Sequence, residues 1–252
     1  MNDTEPKFDT LLQRLLAGVE TPLEGATSAE IAHIEAIAPR SLPRFYRWFL
    51  QRMGRNMGPL SFGSWDFSPA TILACYRGEV EEFVEPDERF FLIGYDSSEV
   101  NPTSVYYDLD APARGDAAVV SLLNHEEPVV RFETLRELLA WGAVLDLRVH
   151  AAPSHCKGML SVGSGDVFEA LDRVMPTLGF QLSIPTGPFC RVLEGPDASA
   201  MVCSSTPDAT PKSFQFFRLG ARDHSALRRI LGVIATQTAI SVQVDAWHPP
   251  LP

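Results

Sequence analysis

The chain has 252 residues, 45% of them hydrophobic and 21% charged, with a net charge of −11 and a mean hydropathy near zero. That length suits one large domain or two small ones, and the balanced composition excludes a disordered or fibrous chain. The acidic start "MNDTEPKFDT" lacks the regions of a secretory signal, and no apolar run approaches the ~20 residues of a membrane helix, so the expectation is a cytoplasmic protein.

"FDTLLQRLLAGV" places Phe8, Leu11, Leu12, Leu15 and Leu16 at helical spacing and predicts a first helix ending near Gly18. "SAEIAHIEAIAP" predicts a helix capped by Ser28 and stopped by Pro39. "SLPRFYRWFLQRMG" predicts another, with Ser41 as N-cap, Pro43 in its first turn and Gly54 as its stop. A short strand, a Ser68-capped helix and an acidic connector follow in "GPLSFGSWDFSPATILACYRGEVEEFVEPDE". "RFFLIGYD" reads as a buried strand, and "TSVYYDL" and "AAVVSLL" as two more joined by a Pro112–Gly115 turn. "RFETLRELLAWGA" is a helix with Leu135, Leu138 and Leu139 inward, and "VHAAPSHCKG" reads as a linker. Beyond it stand strand "MLSV", helix "DVFEALDRVMPTLG", strands "FQLSI", "FCRVLE", "SAMVCSS" and "SFQFFRLG", helix "DHSALRRILGVIATQT" and strand "ISVQVDAW", with "HPPLP" as tail. The expected class is α+β: a domain over 1–150 and a small α+β sandwich, related to the ferredoxin-like arrangement, over 151–252.

Charge separates the two parts. Residues 1–150 hold 13 Lys+Arg and 24 Asp+Glu, whereas residues 151–252 hold eight of each. A negative field repels phosphate, which disfavours nucleic-acid binding, and steers basic partners inward. Acidity alone also keeps a protein soluble.

In an extended "VYYDLD", Val105, Tyr107 and Leu109 share one face, and Tyr106, Asp108 and Asp110 share the other. Two carboxylates at that spacing suit an acid/base pair or a hard cation, and a hydrolase using them is one reading. No third ligand stands at a readable spacing, so a solvated or partner-facing acidic face is preferred. His150, His155 and Cys156 match no zinc pattern. "SVGSGDVFEAL" lacks the third glycine or the lysine of a phosphate loop, and Asp166 stands where a helix N-cap belongs. Four scattered cysteines without a CxxC pair read as reduced and packed. Neither a metal nor a cofactor is expected.

Several of these segments carry a resemblance. Glu35 on a helix, then Leu42, Pro43, Tyr46, Phe49, Leu50 and Gly54, then Ile93, Gly94 and Asp96, then Tyr107, Asp108 and Leu109, closed by "FETLRELL", resemble the SMI1/KNR4 (SUKH) superfamily over about residues 28–143. The resemblance implies a mostly antiparallel sheet flanked by helices. It also implies a non-catalytic role, since many members are immunity proteins that neutralise bacterial polymorphic toxins, often nucleases, and others are regulatory scaffolds. Residues 155–252 lie outside it. The expected partner is then a basic toxin domain, met by Glu81, Glu82, Glu85, Asp87, Glu88, Asp96, Asp108 and Asp110. The alternative is a regulatory or scaffold protein whose C-terminal unit binds a ligand or self-associates.

Overall fold

The computed structural model describes residues 4–18, 21–60, 62–98, 102–123, 127–204 and 213–250. Over these residues the protein is α+β, with seven α-helices and two antiparallel sheets of five and six strands. It divides into two compact units, one comprising Ala17–Leu138 and the other joining Lys7–Leu16, from helix α1 (Thr4–Leu15), to Leu139–Pro252. Val19, Ser205 and Leu251–Pro252, the ends of the expected first helix, one strand and the tail, lie outside the described residues.

The first unit begins with α2 (Ser28–Ile37) and α3 (Arg44–Met53). The N-cap of α2 is Thr27 rather than Ser28: its hydroxyl accepts from the Glu30 amide, and Glu30 reaches back to the Thr27 amide, a reciprocal capping box. Pro43 itself is the cap residue of α3, and Ser41 takes no part. Proline there costs no hydrogen bond, because the first turn's N–H groups have no partner inside the helix. Strand β1 (Trp65–Asp66) leads into α4 (Pro69–Tyr76), where the Ser68 hydroxyl accepts from the Thr71 amide.

The sheet is a meander in chain order, β1, β2 (Phe90–Asp96), β3 (Val105–Ala113), β4 (Asp116–Leu123) and β5 (Glu127–Phe132). Helix α3 buries Phe45, Tyr46, Phe49, Leu50 and Met53, and the Tyr46 ring meets Tyr107 and Phe91 edge-on at 5.5 and 6.1 Å. Each such side chain removed from water stabilises by ~1.5–3 kcal/mol. The hairpin between β3 and β4 turns on Arg114 and Gly115, with φ of 51° and 76°, so Pro112 lies inside β3 instead of in the turn. A register shift between Asp108 and Pro112 accommodates a residue that has no N–H to give the ladder. Strand β5 is not expected from the sequence, because "EPVVRF" contains a proline, which β5 tolerates as an edge strand.

In the second unit, α5 (Leu135–Val144), which begins in the first, continues into a π-helical turn over Leu145–His150. The expected linker is therefore mostly structured, because Ser154 already opens strand β6 (Ser154–Val162). After it come α6 (Val167–Val174), β7 (Gln181–Leu182), β8 (Cys190–Glu194), β9 (Ala198–Cys203), β10 (Phe214–Ala221), α7 (His224–Gln237) and β11 (Ile240–His248). Asp166 caps α6, accepting from the amides of Phe168 at 2.7 Å and Glu169 at 3.4 Å. The lateral order β11-β6-β10-β9-β8-β7 contains the ferredoxin-like order β11-β6-β10-β9, with β8 and β7 added at one edge. One face of this sheet packs on α6 and α7 through Leu160, Phe217, Leu219, Phe168, Leu171, Leu227 and Ile230.

Candidate functional site

The expected partner-facing carboxylates separate into three environments. Glu81, Glu82, Glu85, Asp87 and Glu88 are exposed, on an irregular segment between α4 and β2. Local bonds hold that segment in shape. The Glu79 amide donates to Ala74, the Phe83 amide to Val80 and the Phe90 amide to Asp87, while the Phe83 ring packs edge-on to Tyr76 at 5.4 Å. Phe83 is thus the anchor, and Val84 beside it is 54% exposed, an apolar tip within an acidic rim.

Among the described residues, none of the five glutamates Glu79, Glu81, Glu82, Glu85 and Glu88 pairs with a Lys or Arg. Elsewhere in the first unit, pairing is the pattern. Glu30 and Glu24 meet Arg55, Glu35 meets Arg47, Asp110 meets Arg40, and Glu133 and Glu137 both meet Arg114. The Arg55 guanidinium and the Thr27 amide pull the Glu30 carboxyl down to about 2. Among the described residues, the connector thus gathers the largest run of carboxylates without a Lys or Arg partner in this unit.

Asp96 and Asp108 are not on that surface. Asp96 is buried and accepts from the amides of Ser98 at 2.9 Å and Thr103 at 2.6 Å, so it ties together the two ends of the β2–β3 connection. Against the opposing effect of burial, a hydrogen bond from the Ser64 side chain and then these amides hold its carboxyl below the usual range. Asp108 is 3% exposed and takes a two-pronged contact from Arg89, Nε to Oδ1 at 2.8 Å and Nη2 to Oδ2 at 2.6 Å. The expectation of a wet face at Asp108 is corrected for a definite reason. Val105 to Asp108 are all buried, and burial of a carboxylate is tolerated only with such a partner. Both oxygens of Asp108 accept from Arg89, and Oδ1 also accepts from the Asp110 amide at 3.1 Å.

A second buried charge cluster was missed in the sequence. Asp116 and Arg136 are each 2% exposed, with Nη1 and Oδ2 4.0 Å apart, and the Arg136 guanidinium lies 4.3 Å from the Phe45 ring centroid. Asp116 also accepts from the Ala117 and Arg136 amides. Burial pushes its carboxyl up to about 6 against the opposing pull of Arg136. Two residues 20 apart with unremarkable neighbours give no local signal of such a pair.

Of the His/Cys group read from the linker, Cys156 belongs to the apolar core under α6 and α7. The third member in space is His248, opposite His155 on β11, with ring centroids 4.6 Å apart; His150 lies 5.5 Å from His155. Among the described residues no three His, Cys, Asp or Glu converge as metal ligands. None of the four cysteines forms a disulfide, and no described helix is long and apolar enough to cross a membrane. No protein-family model matches the chain, and no curated protein matches it either.

Proposed function

We propose that this protein is a non-catalytic, immunity-type binding protein of the SMI1/KNR4 (SUKH) kind, which neutralises a basic toxin domain by docking the acidic connector on it. The observation that carries the reading is the contrast in pairing: Glu24, Glu30, Glu35, Asp108, Asp110, Glu133 and Glu137 are matched with arginines, while among the described residues the connector's glutamates are not. A surface of that kind attracts a basic partner over a Debye length of ~8–10 Å and speeds encounter. Val84, exposed at the centre, supplies the apolar contact that charge alone lacks. Occupation of a basic cleft in this way blocks access by a phosphate-bearing substrate. The docking set is Glu81, Glu82, Glu85, Asp87 and Glu88. Asp96 and Asp108 are buried in the sheet, and Asp110 is exposed but paired with Arg40.

The test compares the tagged full-length protein with the triple variant Glu81→Lys, Glu82→Lys, Glu85→Lys in capture from native lysate at low and high salt. Three exposed ion pairs at ~0.2–1 kcal/mol each predict a loss of about 0.6–3 kcal/mol, or roughly three- to 150-fold in affinity. The captured partner should be basic and released by salt. A partner held equally by the variant, or an acidic one, would sink the reading.

A further inference from the structure

The face of the second sheet opposite α6 and α7 carries an unusual run of side chains across β11, β6 and β10. His248 stands opposite His155, and one step further along, Lys157 stands opposite Arg218 with Ala246 on its other side. Like charges directly across a strand pair repel, and a fold maintains them without function only at a cost. No carboxylate relieves this pair: among the described residues neither Lys157 nor Arg218 makes an ion pair. Together with His150 and Trp247 they line a cavity of about 310 Å³ with no acidic side chain on its wall. Of the nearby carboxylates, Asp146 lies 3.7 Å from His150 Nδ1, and Asp245 occupies the β11 bulge beside Ala246, where it accepts from the Gln243 side chain. The next step along β10 is Phe216, 42% exposed, which packs edge-on to Phe214 at 5.3 Å on the same face.

We propose that this cavity binds the phosphoryl group of a small phosphate monoester, with a planar ring of the same ligand lying on Phe216. The charge pattern selects the anion. Two rows of donors about 7 Å apart along the strands, Lys157 with Arg218 and His155 with His248, can share the oxygens of a phosphoryl group better than the two of a carboxylate. Burial first, and then the neighbouring His248 and His150, hold the His155 imidazole below its ordinary value, a tension that a bound anion relaxes. A metal ion is the wrong occupant, because the His155 and His248 rings stack at 21° and, among the described residues, no three His, Cys, Asp or Glu could hold one. A mononucleotide carries few charges and suits a cavity of this volume. Stacking on Phe216 supplies the affinity that a solvated phosphate lacks.

The experiment is calorimetric titration of the full chain at low salt with adenosine monophosphate, inorganic phosphate, adenosine and a short oligoadenylate. Adenosine monophosphate should bind, and adenosine should bind at least about tenfold more weakly. The double variant Lys157→Ala, Arg218→Ala, at exposed and half-buried positions, should also lose at least about tenfold with an unchanged melting profile. Phe216→Ala should weaken adenosine monophosphate several-fold, roughly the share of one stacked base, and leave inorganic phosphate unaffected. Absence of heat with both phosphate-bearing monomers, or full affinity in the double variant, would overturn the site. Equal affinity for inorganic phosphate and adenosine monophosphate would overturn the role of Phe216. Tighter binding of the oligonucleotide than of the monomer would overturn the assignment of a small ligand.

Discussion

Replacing Arg136 by methionine tests whether the buried ion pair under α3 is needed for the first unit to stand. Methionine keeps most of the unbranched stem, so the change removes charge with little change of packing. Two unit charges 4.0 Å apart attract by ~4 kcal/mol at an effective dielectric of about 20. Loss of one partner from a buried pair costs ~3–5 kcal/mol, because the other is left uncompensated. The contact with Phe45 adds roughly 1–2 kcal/mol. Against a total stability of ~5–15 kcal/mol the variant should be severely weakened at pH 8. The pH dependence follows from Asp116. Its folded value of about 6 lies above the ordinary 3.8, so the native state holds the proton more tightly. The stability it contributes is full at acid pH and falls as pH rises through the window from about 4 to about 6. Without Arg136 nothing cationic pulls that value down, so Asp116 stays protonated further up the scale and the loss should be smaller at pH 5 than at pH 8. Adding Asp116→Asn should restore most of the stability at pH 8. Urea unfolding followed by circular dichroism measures all four corners of the cycle. Equal losses at both pH values, or no recovery in the double variant, would refute the reasoning.

Gly158→Ala places a Cβ 2.0 Å from the Gln243 carbonyl and 2.9 Å from Val244 Cα, so β11 must shift. A loss at or above the ~1–3 kcal/mol of core overpacking is expected, with early exchange of β11 amides; unchanged protection would count against the packing described. Thr27→Ala should cost about 1 kcal/mol at pH 7 through the lost cap. Since the Glu30 carboxyl is lowered to about 2, the capping box contributes above pH ~4.5 and fades as pH falls toward about 2, so the variant's penalty should shrink in urea unfolding at pH 2.5. Burial raises the Cys75 thiol to about 11 and the Cys156 thiol to about 12. Iodoacetamide at pH 8 should therefore label them only in denaturant, and labelling of the native chain at the rate of a free thiol would contradict their burial.

Elements with strong periodicity were legible in the sequence. Helices α3 and α7 and the buried strand β2 stand within a residue or two of their expected ends, because each carries both an apolar pattern and a terminal signal. Burial on both faces of β3 was not legible, since alternation predicts faces only for a strand with one wet side. For the same reason Asp108 was placed in solvent: its partner Arg89 lies on the neighbouring strand's approach, and pairing across strands depends on register. The acidic connector was visible as composition, while its lack of counter-ions required every other ion pair to be placed. His248 illustrates the same limit, because only the β6–β11 register brings it to His155.

Helix α1 belongs to the unit whose other residues begin at Leu139, and Arg14 reaches Glu194 on β8, with Nη1 2.8 Å from Oε1. During synthesis the helix emerges 180 residues before that partner. At ~5–20 residues per second, the apolar stripe of Phe8, Leu11, Leu12 and Leu15 waits on the order of ten seconds or more for the surface that buries it. In that interval it offers chaperones and neighbouring nascent chains an open amphipathic helix. Polar substitutions on this stripe are therefore expected to alter yield through events on the ribosome as well as through the stability of the finished protein.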